Sequence, residues 1–296
     1  MIYQIEQIQT KKGKRLVIVY VVTLLLVLLV AIGLGIYAAK KVNEKKNENI
    51  DSSQIVEKTK KDQQQDINVT TQEKKKSNFV EQVNNIYNAT EGKRVFLTFD
   101  DGPSNTVTPH ILDILKKYNI KATFFVLGNR VTDYADLIKR EYNEGHYIAN
   151  HGYSHRYSKI YASSNDVIKE YNKTEEAIKK ALENPNYTSN LFRFPGGSVG
   201  GEYDDIKTKA RKELQENKIA YLDWNALTND AAGAETKEEI MQNLKKTVGS
   251  KDNVVILMHD APDKILTYET LEDVIQYLQG KGYAFKNMYD LIDAEE

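Results

Sequence analysis

From Gly92 onward, short apolar runs alternate with amphipathic segments, and that rhythm leaves few folds open. The runs at 95–99, 122–127, 147–149, 191–194, 219–224, 254–258 and 283–285 read as seven strands. Apolar residues at helical spacing lie between them, as at Ile111, Leu112, Leu115 and Tyr118, or at Leu271, Ile275 and Leu278. Strands alternating with helices over some 200 residues predict an α/β class, with a parallel sheet covered by helices, either doubly wound or closed into a barrel. In both forms chemistry gathers where strands end at their C-termini.

The residues at those ends carry reactive groups. After the first strand comes Thr98-Phe99-Asp100-Asp101-Gly102-Pro103. Adjacent carboxylates repel, and a cation or a shared proton would relieve them; a plain turn is the bland reading. After the third strand comes Asn150-His151-Gly152-Tyr153-Ser154-His155, and the spacing predicts both imidazoles on one side of a helical turn. The chain has 5 histidines. His110, in a helix, and His146, at a strand start, read as structural. There is no cysteine, so a metal can be held only by His and carboxylate. Asp101, His151 and His155 form such a set, two histidines and one carboxylate with positions left for water and substrate. The later strands end near Arg193-Phe194-Pro195-Gly196-Gly197, near Asp223-Trp224-Asn225 leading to Asp230, and at Leu257-Met258-His259-Asp260. Each has a structural reading of its own, but all of them share one rim.

The N-terminal third is different. Residues 16–39 carry no charge and are bounded by Lys11, Lys12, Lys14 and Arg15 before and by Lys40 and Lys41 after. At ~1.5 Å per residue a helix over this run would cover the ~30 Å hydrocarbon core. The expected organisation is a cytoplasmic tail 1–15, a transmembrane anchor 16–39, a polar flexible linker 40–91 and a catalytic domain 92–296. A signal peptide cut after Gly33-Leu34-Gly35 is the rival. Basic residues flank both ends, so charge alone does not orient the helix. With 41 Lys and Arg against 42 Asp and Glu, the chain has no basic excess to attract nucleic acid, and none is expected as a partner.

Taken in order, TFDDGP, H-x-x-x-H, R-x-P, an Asp-bearing stretch and L-x-H resemble the polysaccharide deacetylases of carbohydrate esterase family 4, the NodB homology domain, over 93–292. The resemblance implies a distorted (β/α)7 barrel. It implies that Asp101, His151 and His155 bind a divalent metal, Zn2+ first, with Co2+, Ni2+ or Mn2+ as alternatives. Asp100 would be the catalytic base, Arg193 its orienting partner and His259 the general acid. Asp230 would support His259, with Asp223 as the alternative. Leu257 would line the acetyl pocket and the Gly196 N–H would serve the oxyanion, with Trp224 also at the substrate site. The expected reaction is de-N-acetylation of N-acetylglucosamine or N-acetylmuramic acid in peptidoglycan, at the cell membrane with the catalytic domain outside and facing the wall. Poly-N-acetylglucosamine, acetylxylan, an inactive wall-binding module or a non-haem iron oxygenase are the alternatives. Three positions depart from the family pattern. Gly152 replaces a usual Ser or Thr, which predicts a looser turn under His151; Gly196 replaces an aromatic, removing a wall of the site; and Ala231 follows Asp230 where Trp is usual.

Overall fold

The computed structural model describes residues 30–42, 75, 78–90 and 92–292. The chain divides into two units, Met1–Thr70 and Thr71–Glu296. In the first, residues 30–42 are helical and exposed. The expected tail 1–15, residues 16–29 of the expected anchor and 43–74, 76–77 and 91 of the expected linker lie outside the described residues, and among the described residues no helix is long and apolar enough to cross a membrane.

The second unit is a parallel-sheet half-barrel, consistent with the expected distorted (β/α)7 barrel. Its strands are β1 (Arg94–Asp100), β2 (Thr123–Val126), β3 (Tyr147–Asn150), β4 (Leu191–Phe192), β5 (Ala220–Tyr221), β6 (Ala226–Leu227), β7 (Asn253–His259) and β8 (Ala284–Lys286). The order is β5-β4-β3-β2-β1-β7-β6, and every pairing is parallel. One edge of β1 meets β7 along its whole length, while the other is shared by β8 at its start and β2 at its end. Strand β6 was not expected. Its two residues, Ala226 and Leu227, are too short a run to give a period, and only pairing with Ile256 and Leu257 makes them a strand.

Period-two alternation sorts the strand side chains into two layers. Val95, Leu97, Phe99, Phe124, Val126, Ile148, Val254, Ile256 and Met258 face outward, into one core with Ile111, Leu112, Leu115, Leu271 and Ile275 of the covering helices. Phe96, Phe125, Tyr147, Ala149 and Val255 face the barrel interior. Thr98 and Asp100 follow Phe96 on that inner face, as Leu257 and His259 follow Val255. The interior is filled from below by a segment expected to be linker. Phe79, Val83 and Ile86 are buried in the same inner cluster, with Met288 and Leu291. Arg94 Nη2 donates to the Ile86 carbonyl at 3.1 Å and Asn253 Nδ2 to that of Ala89 at 2.7 Å. Residues 78–90 therefore belong to the folded unit, and its boundary lies upstream of the expected residue 92. Three apolar residues spaced at 79, 83 and 86 were the available signal, diluted by the polar composition on either side.

Candidate active site

Asp100 ends β1 inside the barrel and pairs in register with His259 at the end of β7. Parallel pairing alone thus puts a carboxylate and an imidazole side by side on one face. Asp100 Oδ1 accepts from Arg193 Nη1 at 2.8 Å. Arg193 is wholly buried, and its guanidinium is held on several sides: Nε donates to the Leu222 carbonyl, Nη1 also to Thr98 Oγ1, and Nη2 to the Asp223 carbonyl. The planar group lies 3.9 Å from the Phe125 ring centroid. Burial raises the Asp100 pKa, with the charges of Arg193 and His259 opposing it.

Successive strand residues normally point to opposite faces. Asp101 escapes that rule because its φ is 74°, in the left-handed region where a non-glycine residue is uncommon. Its carboxylate turns to the rim, where Oδ1 lies 3.5 Å from His151 Nε2 and 3.4 Å from His155 Nε2. His151 Nδ1 is 2.8 Å from the Arg193 carbonyl, which can only accept, so the proton is on Nδ1 and the Nε2 lone pair faces the carboxylate. Burial pushes the His151 pKa down to about 3, so the ring is neutral at physiological pH. Two lone-pair atoms thus face each other across 3.5 Å, and Asp101 Oδ1 is buried without a hydrogen-bond partner. The three ligand atoms lie within 4.8 Å of one another. This donor set fits a divalent cation, which would satisfy the orphaned oxygen and both lone pairs.

The histidine pair does not lie on a helical turn, as its spacing predicted. Residues 151–156 form an irregular loop, with Gly152 at φ 81° and His155 at φ 53°. Gly152 is the residue this loop calls for, since its φ lies in the left-handed region and a Cβ there would come within 2.8 Å of Ile160 Cδ1. The turn is pinned by Glu170, whose carboxylate accepts from the Tyr153 N–H, the Ser154 N–H and Ser154 Oγ.

Across the site, His259 Nδ1 is 3.0 Å from Asp230 Oδ1, leaving Nε2 for the cleft. Asp230 Oδ2 also accepts from the His259 N–H and Thr267 Oγ1. Burial disfavours the imidazolium, but the hydrogen bond and charge of Asp230, with Asp100 and Asp101 behind it, push the His259 pKa up to about 9. Asp230, not Asp223, therefore faces His259. Asp223 accepts from the Ser198 N–H and Ser198 Oγ and so anchors the loop that follows Gly197. Gly196 is exposed at φ 74°, and its N–H has no hydrogen-bond partner among the described residues. Trp224 borders Gly197 and lies 5.7 Å from the Arg193 guanidinium carbon. Leu257 sits two residues below His259 on the same face, 9 % exposed.

Sequence reasoning missed Thr98, Glu170 and Asp260. Asp260 packs its carboxyl against Gly102, where a Cβ would strike it, and takes a 2.6 Å hydrogen bond from Thr108 Oγ1. Burial pushes its pKa up to about 7, with the charges of Asp101 and Asp100 adding. No local pattern marks these residues, because each acts on a partner from another element.

A protein-family model described as polysaccharide deacetylase matches residues 87–218. The chain is 33 % identical over 207 residues, 69 % of its length, to the peptidoglycan-N-acetylglucosamine deacetylase PgdA of Listeria monocytogenes, and spans 40 % of that relative's length. It is 32 % identical to the peptidoglycan-N-acetylmuramic acid deacetylase PdaA of Bacillus subtilis, covering 70 % of this chain and 74 % of that one. Among solved structures, a CE4 esterase of Streptococcus mutans superimposes with a TM-score of 0.64 at 31 % identity, over 70 % of this chain and 90 % of that one.

Proposed function

This chain belongs to the polysaccharide deacetylase family, hydrolases of N-acetyl amides, and on that premise we propose that it removes acetyl groups from N-acetylglucosamine or N-acetylmuramic acid residues of peptidoglycan. The observation that carries the reading is the metal-ready triad of Asp101, His151 and His155 standing beside a buried carboxylate, Asp100, and an imidazole raised by Asp230, His259.

Asp101, His151 and His155 would hold a divalent cation, Zn2+ by its donor set or Co2+, Ni2+ or Mn2+, which would supply Lewis acidity toward the amide oxygen and acidify a water. Asp100 takes the proton of the attacking water as its oxygen bonds to the carbonyl carbon, and Arg193, itself held by Thr98 Oγ1, keeps the carboxylate in line. The Gly196 N–H donates to the carbonyl oxygen as that oxygen gains charge. His259, protonated below about pH 9, gives its proton to the nitrogen as the C–N bond breaks. The products are acetate and a free amine on the sugar. Leu257 and Trp224 border the space for the acetyl methyl and the sugar.

The polymer lies outside the membrane, so the reading puts the catalytic unit on the outer side, with 16–39 as its anchor. Mass spectrometry of peptidoglycan fragments before and after treatment with the purified full chain tests it. Loss of one acetyl from a named sugar supports the reading and identifies the sugar. Unchanged fragments alongside a deacetylated poly-N-acetylglucosamine or acetylxylan would move the substrate elsewhere, and no acetate from any of them would leave a wall-binding module.

A further inference from the structure

On the reading above, the acyl oxygen of the substrate lies between the triad and the Gly196 N–H, and one unassigned side chain borders both. Tyr157 opens the short helix Tyr157–Ile160, two residues after His155. Its ring centroid is 5.7 Å from that of His155, and its hydroxyl stands where a Cβ on Gly196 would fall. Glycine at 196 is thus what makes room for the phenol. The ring is half-exposed, and its hydroxyl has no hydrogen-bond partner among the described residues.

The ring is also held still. Tyr161 meets it edge-on at 5.5 Å and Tyr203 at 6.2 Å, and Tyr161 Oη donates to the Pro195 carbonyl at 2.7 Å, tying this aromatic group to the turn that carries Gly196. With His155, Tyr161 and Tyr203 around it, Tyr157 offers the site its hydroxyl end rather than a bare ring face. We propose that the Tyr157 hydroxyl is a second hydrogen-bond donor to the acyl oxygen, acting beside the Gly196 N–H as that oxygen becomes an anion. A fixed donor aimed at developing charge lowers the barrier more than it tightens ground-state binding. The proton stays on the tyrosine throughout.

The proposal rests on the deacetylase reading, and its test separates the two. Wild type and Tyr157→Phe, which keeps the ring and its packing, are compared on a chito-oligosaccharide and on nitrophenyl acetate, which has the acyl group but no sugar. Metal content is measured on both proteins. Binding of methylphosphonate, a tetrahedral anion, is followed by calorimetry. The expected result is a fall in kcat of about tenfold or more on both substrates, with KM little changed, a matching loss of methylphosphonate affinity, and unchanged metal content. A variant with wild-type kcat and a raised KM for the oligosaccharide alone would make Tyr157 a sugar contact and overturn the proposal. Loss of metal would assign it to support of His155 and overturn it equally. If wild type releases acetate from no glycan, the substrate reading fails, while the nitrophenyl acetate and methylphosphonate comparisons still decide the role of Tyr157.

Discussion

Asp100 and Asp101 are chemically identical neighbours, and their surroundings assign them different work. Asp100 is buried against Arg193, whereas Asp101 turns through a positive φ toward two imidazole nitrogens. Asp101→Asn is therefore expected to lose metal affinity, since an amide oxygen is a poorer ligand than a carboxylate, and to regain part of its activity with excess metal. Asp100→Asn should keep the metal and lose at least ~10²-fold in turnover, the scale for removing a general base. Calorimetric metal titration and parallel assays check both, and the reverse pattern would exchange the two roles. His259 gives a pH prediction with a definite sign. Its pKa is raised to about 9, and the proposed mechanism needs the acid form, so kcat should fall as pH rises through that value. A cation at the triad would offset the Asp100 and Asp101 charges and leave Asp230 as the main support. Asp230→Asn should move the falling limb of the kcat profile down toward the ordinary histidine value of 6.5. A limb that stays near 9 would show that Asp230 does not set it.

At the scale of elements, the strands were legible because their apolar runs are intrinsic to each segment, and the covering helices because their period is. The half-barrel's lower closure was not. Residues 78–90 follow a long polar stretch that masks them, yet Phe79, Val83 and Ile86 are almost wholly buried beneath the site, and the Phe79 ring lies 6.0 Å from that of Tyr147. This segment acts as a plug rather than a spacer. Phe79→Ala should cost about 3–5 kcal/mol of stability, as large-to-small changes of a buried aromatic do, read as a lowered denaturation midpoint. A chain begun at residue 91 should melt far below one begun at residue 75. Equal melting temperatures would restore these residues to the linker.

For the whole molecule, the proposal that the catalytic unit acts on wall polymer from an anchor at 16–39 requires that unit to lie outside the cell. Protease added to intact cells should remove the catalytic unit, and protection until the membrane is opened would remove peptidoglycan from consideration. The chain's own pattern was enough for the α/β class, seven of the eight strands, the strand-end addresses of Asp100, Asp101, Arg193 and His259, and the reactive residues gathered at one rim. These follow from periodicity and from residue chemistry, which are properties of neighbours in the chain. Only the tertiary structure decided that Asp230 rather than Asp223 faces His259, that the histidine pair sits on an irregular loop braced by Glu170, that residues 78–90 fill the barrel, and that Tyr157 stands over Gly196. Each of these is a meeting of residues distant in sequence. Strand register and close packing fix such meetings, and neither is encoded in any local window.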